Sequence, residues 1–425
     1  MTATRPAVPA AYSIPRANRP IDTVESLFSH LYDAAKLELS TIPLYLYAAY
    51  SIKTQNVSQW SSGPGAFRLI KSIVVEEMLH LSLVRNLIVA IGYGDQIKFD
   101  HAKFVPAYPE PMLFRVPELE LKLAPLTTDL VQDVFMPLEL PAKVDAPPEA
   151  GEYQTIGQFY KAIFDGFQRL CGVDPGKPTR VDPDRERELF AHNRLDLQYI
   201  NTYWNEGGGG APVVVHDLHT ALSAINVIVE QGEGTDPDHQ EVPVYPEDPV
   251  AKQQPGLVEA PHYVKFKRIA DGWELIGDVY PVPENPRVAD YPEGPIRDLG
   301  KLASAAYTYV LAMLDELYNT SGQDVRPGAY SPRYGLERTF IAAMQGLLFG
   351  VIKELVRTPI TEGVHAGMNA APTFEHYRFP EGRPMTEHLK EMCERVLPHY
   401  PALGGDNSVL WLISKQMPEL HAPHH

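Results

Sequence analysis

Cysteine is almost missing from this chain, since Cys171 and Cys393 are the only two in 425 residues. Two thiols cannot build a disulfide scaffold, a four-thiolate zinc site or a cysteine-ligated iron–sulfur cluster, so a bound metal has to rely on oxygen and imidazole. A basic surplus is missing as well. The chain carries 54 acidic against 37 basic residues, for a formal net charge of -17. That charge repels a phosphate backbone, and no Lys/Arg cluster interleaved with aromatics offers a nucleic-acid surface. Long apolar runs are also lacking. The most apolar stretch, residues 87–91, is too short to span a bilayer, and the first twenty residues have no apolar segment of signal-peptide type. The expectation is a cytoplasmic chain with neither nucleic acid nor membrane as partner.

What is present is enough apolar sequence, 44% of the chain, to bury a sizeable core. From Thr23 to about Ser51, apolar residues recur at three-to-four spacing (Val24, Leu27, Leu31, Ala34, Ala35), which predicts an amphipathic helix capped by Asp22 or Thr23. Pro43 inside it predicts a kink one turn after Glu38. A second helix is expected over residues 66–90, stopped by Gly92 and Gly94. Residues 106–147 are rich in proline, with one period-two run, VPELELKLAPL, that reads as a short strand or extended arm. A short helix over 126–136 follows, and the whole segment is expected to be an insertion covering the helices. A third helix begins near Thr155 and a fourth spans about 217–230. After an acidic, Gly- and Pro-rich surface loop, helicity resumes over 260–269. Amphipathic segments near 298–319, 334–357, 385–397 and 407–415 predict a C-terminal helical layer. The expected division is an N-terminal extension (1–22), a helical bundle (23–270, insertion 95–153) and a C-terminal helical region (271–425).

The sharpest chemical signal is Glu77-Met78-Leu79-His80, because residues three apart on a helix share a face. Helical bundles that bind two iron or manganese ions use Glu-x-x-His on two helices and single glutamates on the other two. Chance also produces this spacing on solvated helices. Here Ile70, Ile73, Val74, Val84 and Ile88 run along the same stripe, so Glu77 and His80 are expected to face the core, where an unpaired charge is costly. Glu38 stands in a similar setting, beside Ala34, Ala35, Ile42 and Tyr45. Glu230 and Glu233 end the apolar run of the fourth helix, although a solvated helix end is the plainer reading of Glu233. Tyr45, two turns from Glu38, is the best placed tyrosine to gate electrons or stack on a substrate, against the ordinary role of a packed core ring.

The segments ELSTIPLYLYAAYSI, VVEEMLHLSLVRNLI, TIGQFYKAI, IVEQGEG with a later HYVKFKRI, and LFGVIKELVRTPI followed by AAPTFEHY together resemble the ferritin-like family of iminophenyl-pyruvate dimer synthase-type proteins. The resemblance runs from the first helix to about Tyr377. It implies a mainly α, ferritin-like bundle with Glu38, Glu77, His80, Glu230 and His262 as metal ligands, His262 standing in for the histidine that the fourth helix lacks. It also implies one or two iron ions, with manganese as the alternative, and a small organic substrate of the kind coupled in bisindole pigment assembly. Where the family is expected to carry a glutamate on the third helix, this chain has Gln158. An amide there implies occupancy nearer one ion than two, or a hydrogen-bonding role for Gln158 beside the ligands.

Two classes of function follow. The first is a non-haem metal oxidoreductase using dioxygen or peroxide. The second is a non-oxidative enzyme or small-molecule binder with a single metal. Iron storage is disfavoured by the large insertion.

Overall fold

The computed structural model describes residues 12–54, 65–113, 118–140, 153–177, 179–200, 211–232, 260–322 and 332–422; Glu233 and nearly all of the acidic loop lie outside these. Helix α1 (Val24–Ser51) starts where the Thr23 hydroxyl accepts the Ser26 N–H at 3.1 Å, and Glu25 in its first turn suits the helix dipole. The helix runs through Pro43 to Ser51. Helix α2 (Gly65–Ala90) lies against it, and both are buried along most of their length.

The insertion opens with a two-stranded antiparallel ribbon, β1 (Glu110–Pro111) and β2 (Glu120–Leu121), the second strand taken from the period-two run. Thr127 then caps α3 (Thr128–Leu130), which passes through a π turn at Val131–Phe135 into α4 (Met136–Leu138). Helix α5 (Ile156–Leu170) packs on α1, followed by the short α6 (Pro183–Leu189) and then α7 (Leu218–Gly232), which packs on both α2 and α5. Helices α1, α2, α7 and α5 thus close a four-helix bundle. Helix α8 (His262–Ala270) seals one side, resting on α2, α7 and the π turn of the insertion.

The C-terminal layer consists of α9 (Pro295–Asn319), α10 (Pro332–Ala342), a π turn at Ala343–Leu348, α11 (Phe349–Leu355), α12 (Met385–Val396) and α13 (Val409–Lys415). Helix α9 packs against α10, α11 and α12. Polar ties join this layer to the bundle side, among them those of Asp315 and Arg333. Half-buried Asp315 of α9 accepts the Phe99 and Asp100 N–H groups at 2.9 and 2.8 Å, and Arg333 donates to the carbonyls of Gln198 and Asp196 at 2.6 and 3.1 Å. Among the described residues one helix, Arg333–Leu355, is long and apolar enough to cross a membrane by length and composition. Its Ala343, Leu347, Val351 and Ile352 are fully buried in this structure.

Candidate metal centre

Glu38 comes from α1, Glu77 and His80 from α2, His262 from the first turn of α8, and Glu139 from the residue just beyond α4. All five are buried inside the bundle. Their donor atoms form two groups, Glu38 with Glu77 and His80, and Glu77 with Glu139 and His262, each with donors within 4.8 Å of one another. Glu77 belongs to both.

The two histidines are arranged alike. His80 turns Nδ1 toward Glu38 Oε2, 3.5 Å away, while its Nε2 meets Gln231 Oε1 at 3.0 Å. His262 turns Nδ1 toward Glu77 Oε1 at 2.9 Å and Glu139 Oε1 at 3.5 Å, while its Nε2 meets Glu76 Oε2 at 2.9 Å. The buried His262 Nδ1 has no partner with hydrogen-bond geometry, despite its nearness to two carboxylates. Lys265, one turn further along α8, donates to the same Glu76 oxygen at 2.5 Å. The carboxylates are held too: Thr41 donates to Glu77 Oε2 at 2.6 Å, Tyr45 donates to Glu139 Oε1 at 2.5 Å, and Tyr160 donates to Glu38 Oε1.

The electrostatics differ across the site. Burial pushes the Glu38 carboxyl up to about 7, only partly countered by the Tyr160 hydrogen bond. Burial also works to raise Glu76, but the Lys265 ammonium and His262 outweigh it and hold that carboxyl at about 2. Burial lowers His80 below the ordinary imidazole value. For His262 burial acts the same way, yet Glu139, Glu76 and Glu77 around it carry the value well above the ordinary one. Tyr45 and Tyr160 are raised well above the usual phenol value, first by burial and then by the carboxylates beside them, so both stay protonated donors.

Of the residues expected from sequence, Glu38, Glu77, His80 and His262 converge, with Tyr45 touching the group through Glu139. One expectation is corrected. Glu230 is exposed on α7. The buried face of that helix is Ala221, Ala224, Ile225, Ile228 and Gly232, and two residues past Ile228 is nearly the opposite side of a helix, so Gln231 rather than Glu230 reaches His80. Gln158 has its side-chain oxygen engaged at the start of α5. Thr155 caps α5 by accepting the Gln158 N–H at 3.1 Å, and the Gln158 carbonyl folds back to accept the Gln154 N–H at 2.8 Å. This is close to a capping box, T-x-x-Q, at the position where the family is expected to carry a glutamate. Tyr160, two residues on, takes the inward place.

Sequence reasoning missed Glu139, Glu76, Lys265 and Gln231. A signal existed for Glu139, a lone charge in the apolar run FMPLEL, and for Glu76, the first of two adjacent glutamates on a helix otherwise apolar over several turns.

The donor set fits a hard or borderline divalent ion. Bonds of about 2.0–2.2 Å at roughly right-angled to tetrahedral openings separate ligand atoms by about 3 to 3.5 Å, which matches the His–carboxylate spacings here. A cavity of about 20 Å³ opens beside Glu38, Glu77, His80 and Glu139. That is room for an ion or a water.

The fold and this buried carboxylate–histidine cluster agree with a comparison of the sequence: the Ferritin-like family matches residues 31–271, and the chain belongs to that family. Among individual proteins, it is similar to a dichlorochromopyrrolate synthase of Lentzea aerocolonigenes, at 26% identity over 85% of this chain and 37% of that protein. It is also similar to a 2-imino-3-(indol-3-yl)propanoate dimerase of Chromobacterium violaceum, at 25% identity over 93% of this chain and 38% of that protein. The chain therefore spans little more than a third of the length of these relatives. A crystal structure of a ferritin like protein from Caulobacter vibrioides superimposes with a TM-score of 0.53 at 22% identity, over 85% of this chain and all of that one, and shows the fold alone.

Proposed function

We propose that the chain is a non-haem metalloenzyme in which Glu38, Glu77 and His80 hold one divalent ion and Glu77, Glu139 and His262 hold a second, with iron the preferred metal and manganese the alternative. The observation that carries this is the pair of donor groups sharing Glu77 in the bundle interior. When bound, such ions would supply the electron transfer between an organic substrate and dioxygen or peroxide. The bundle contributes the rest. Thr41, Tyr45 and Tyr160 each fix one carboxylate oxygen, which limits how the free oxygens are directed. Without the ion, burial holds the Glu38 carboxyl at about 7, so ion binding there displaces a proton near neutrality. The apolar walls exclude bulk water from all five side chains. We take residues 23–270 as the unit that forms the centre, with 271–425 packed on it.

The substrate class proposed is a small aromatic, amino-acid-derived compound, in keeping with the indolyl imino acid in one relative's name. An indole ring does not fit in about 20 Å³, so its reacting atom approaches from the solvent side, where Ile156, Gly157 and Val229 line the cavity and are partly exposed. One observation favours a smaller, single-ion and non-oxidative site: the Glu76, Glu77 and Glu139 carboxylates already surround His262, whose protonated form offsets part of their charge without a metal.

The test is anaerobic loading with Fe(II), elemental analysis, and exposure to oxygen. The proposal expects bound iron and a new visible absorption band in the native chain, and neither in a His80→Ala/His262→Ala variant. Iron bound without an oxygen-dependent band would favour the single-ion reading, and a native chain that binds no iron would end both.

A further inference from the structure

The two histidines present the same nitrogen inward but are held from outside by unlike groups. Behind His80 stands a neutral amide, Gln231. Behind His262 stands a carboxylate, Glu76, whose Oε2 also receives the Lys265 ammonium at 2.5 Å. Glu76 and Glu77 are neighbours on α2 and engage the two ring nitrogens of the same imidazole, one from each side. A carboxylate accepting the outer N–H fixes ring orientation and raises the donor strength of the inner nitrogen, and loss of such a partner costs about 10–100-fold in metal affinity. An amide carbonyl fixes the ring but polarises it less. Lys265 has a second consequence. It holds the same Glu76 oxygen that faces His262, so Glu76 orients the ligand without joining the ligand set. Because α8 spans only nine residues, this buried pair is also a main polar tie of that helix to α2.

We propose that Glu76, anchored by Lys265, is a positioning residue that makes the Glu77–Glu139–His262 half the tighter of two inequivalent half-sites, so that the ions load in order, first beside His262 and then beside His80. This rests on the metal reading given above.

The experiment is an anaerobic Fe(II) titration of the full-length chain against a competing chelator, followed by elemental analysis at each step. In the native protein the first ion to bind is expected to survive His80→Ala and to be lost in His262→Ala. Glu76→Gln is expected to weaken that first step by about 10–100-fold and leave the second in place, and Glu76→Asp to recover part of the loss. Gln231→Glu is expected to strengthen the second step toward the first. Nitrogen-15 shifts of the His262 ring in the metal-free protein supply a reading independent of loading, with the outer-nitrogen signal moving in Glu76→Gln and not in Gln231→Glu. If Glu76→Gln leaves both steps unchanged or weakens them equally, or if the first ion is lost in His80→Ala and kept in His262→Ala, the inference is overturned while the metal reading stands. If Glu76→Gln fails to fold, Gln231→Glu decides: an unchanged second step overturns the inference. A native chain that takes up no iron, or a His80→Ala/His262→Ala chain that takes up as much as native, defeats the metal reading itself.

Discussion

The two halves of the buried cluster are built from the same kinds of side chain, yet their surroundings differ. On one side Glu38 sits near neutrality at about 7, His80 is held below the ordinary imidazole value, and the outer partner is Gln231. On the other, His262 lies among three carboxylates and Glu76 is pulled to about 2 by Lys265 and His262. Without metal, burial works against charge on Glu38 and His80, whereas His262, Glu76 and Lys265 form an ion network. Burial alone does not decide the state of a carboxylate; the cation within reach does.

The largest effect is expected from removing the centre of that network. His262→Ala leaves Glu76, Glu77 and Glu139 facing one another with Lys265 at one edge, so the metal-free protein should lose about 3–5 kcal/mol of stability, read as a lower urea midpoint. His80→Ala removes a neutral ring and should cost less, while still lowering iron content and abolishing turnover. Equal destabilisation by the two variants would erase the proposed difference between the halves.

A second, smaller contrast concerns pH. Glu38, Asp33 and Asp315 each rise to about 7 when folded, from 4.5 or 3.8, so the folded state binds more protons and the metal-free protein gains stability as pH falls from about 7 toward 4.5. Glu76 acts with the opposite sign. Its lowered value adds stability above about 4.5 that is lost as pH falls toward 2. Thermal unfolding should therefore show its maximum between those limits, and Glu76→Gln should blunt the acid limb. For metal, the Glu38 proton competes with the ion, so uptake at the His80 half should strengthen as pH rises through about 7. Calorimetry in buffers of different protonation enthalpy would register the released proton.

Much of this was legible in the sequence, for a physical reason. Glu38, Glu77 and His80 are lone polar residues on long apolar faces, and a charge there must be neutralised. Element types were also readable, because proline and periodicity mark them. The fourth helix was not. Between Ala224 and Val229 only Asn226 is polar, so several registers bury equally well and sequence does not say whether Glu230 or Gln231 faces inward. Glu139 follows a π turn between two prolines, where no periodic face exists to point it. Gln158 also carries a helix-start signal, T-x-x-Q after Gln154, that the sequence reading did not weigh.

Two modest predictions sharpen the boundary of the cluster. Tyr45→Phe and Tyr160→Phe each delete one hydrogen bond to a carboxylate and should cost about 1.5–3 kcal/mol in the metal-free state, measured by chemical unfolding. Gln158→Glu should leave iron content unchanged and shift stability by no more than about 0.5 kcal/mol, since a carboxylate oxygen can keep the bond to the Gln154 N–H at the start of α5.

The most direct measurement is anomalous diffraction at the iron edge from crystals of the iron-loaded chain. The account expects peaks flanking Glu77, the stronger between Glu139 and His262 and the weaker between Glu38 and His80. Iron bound elsewhere, or no peak within coordination distance of Glu77, would contradict it.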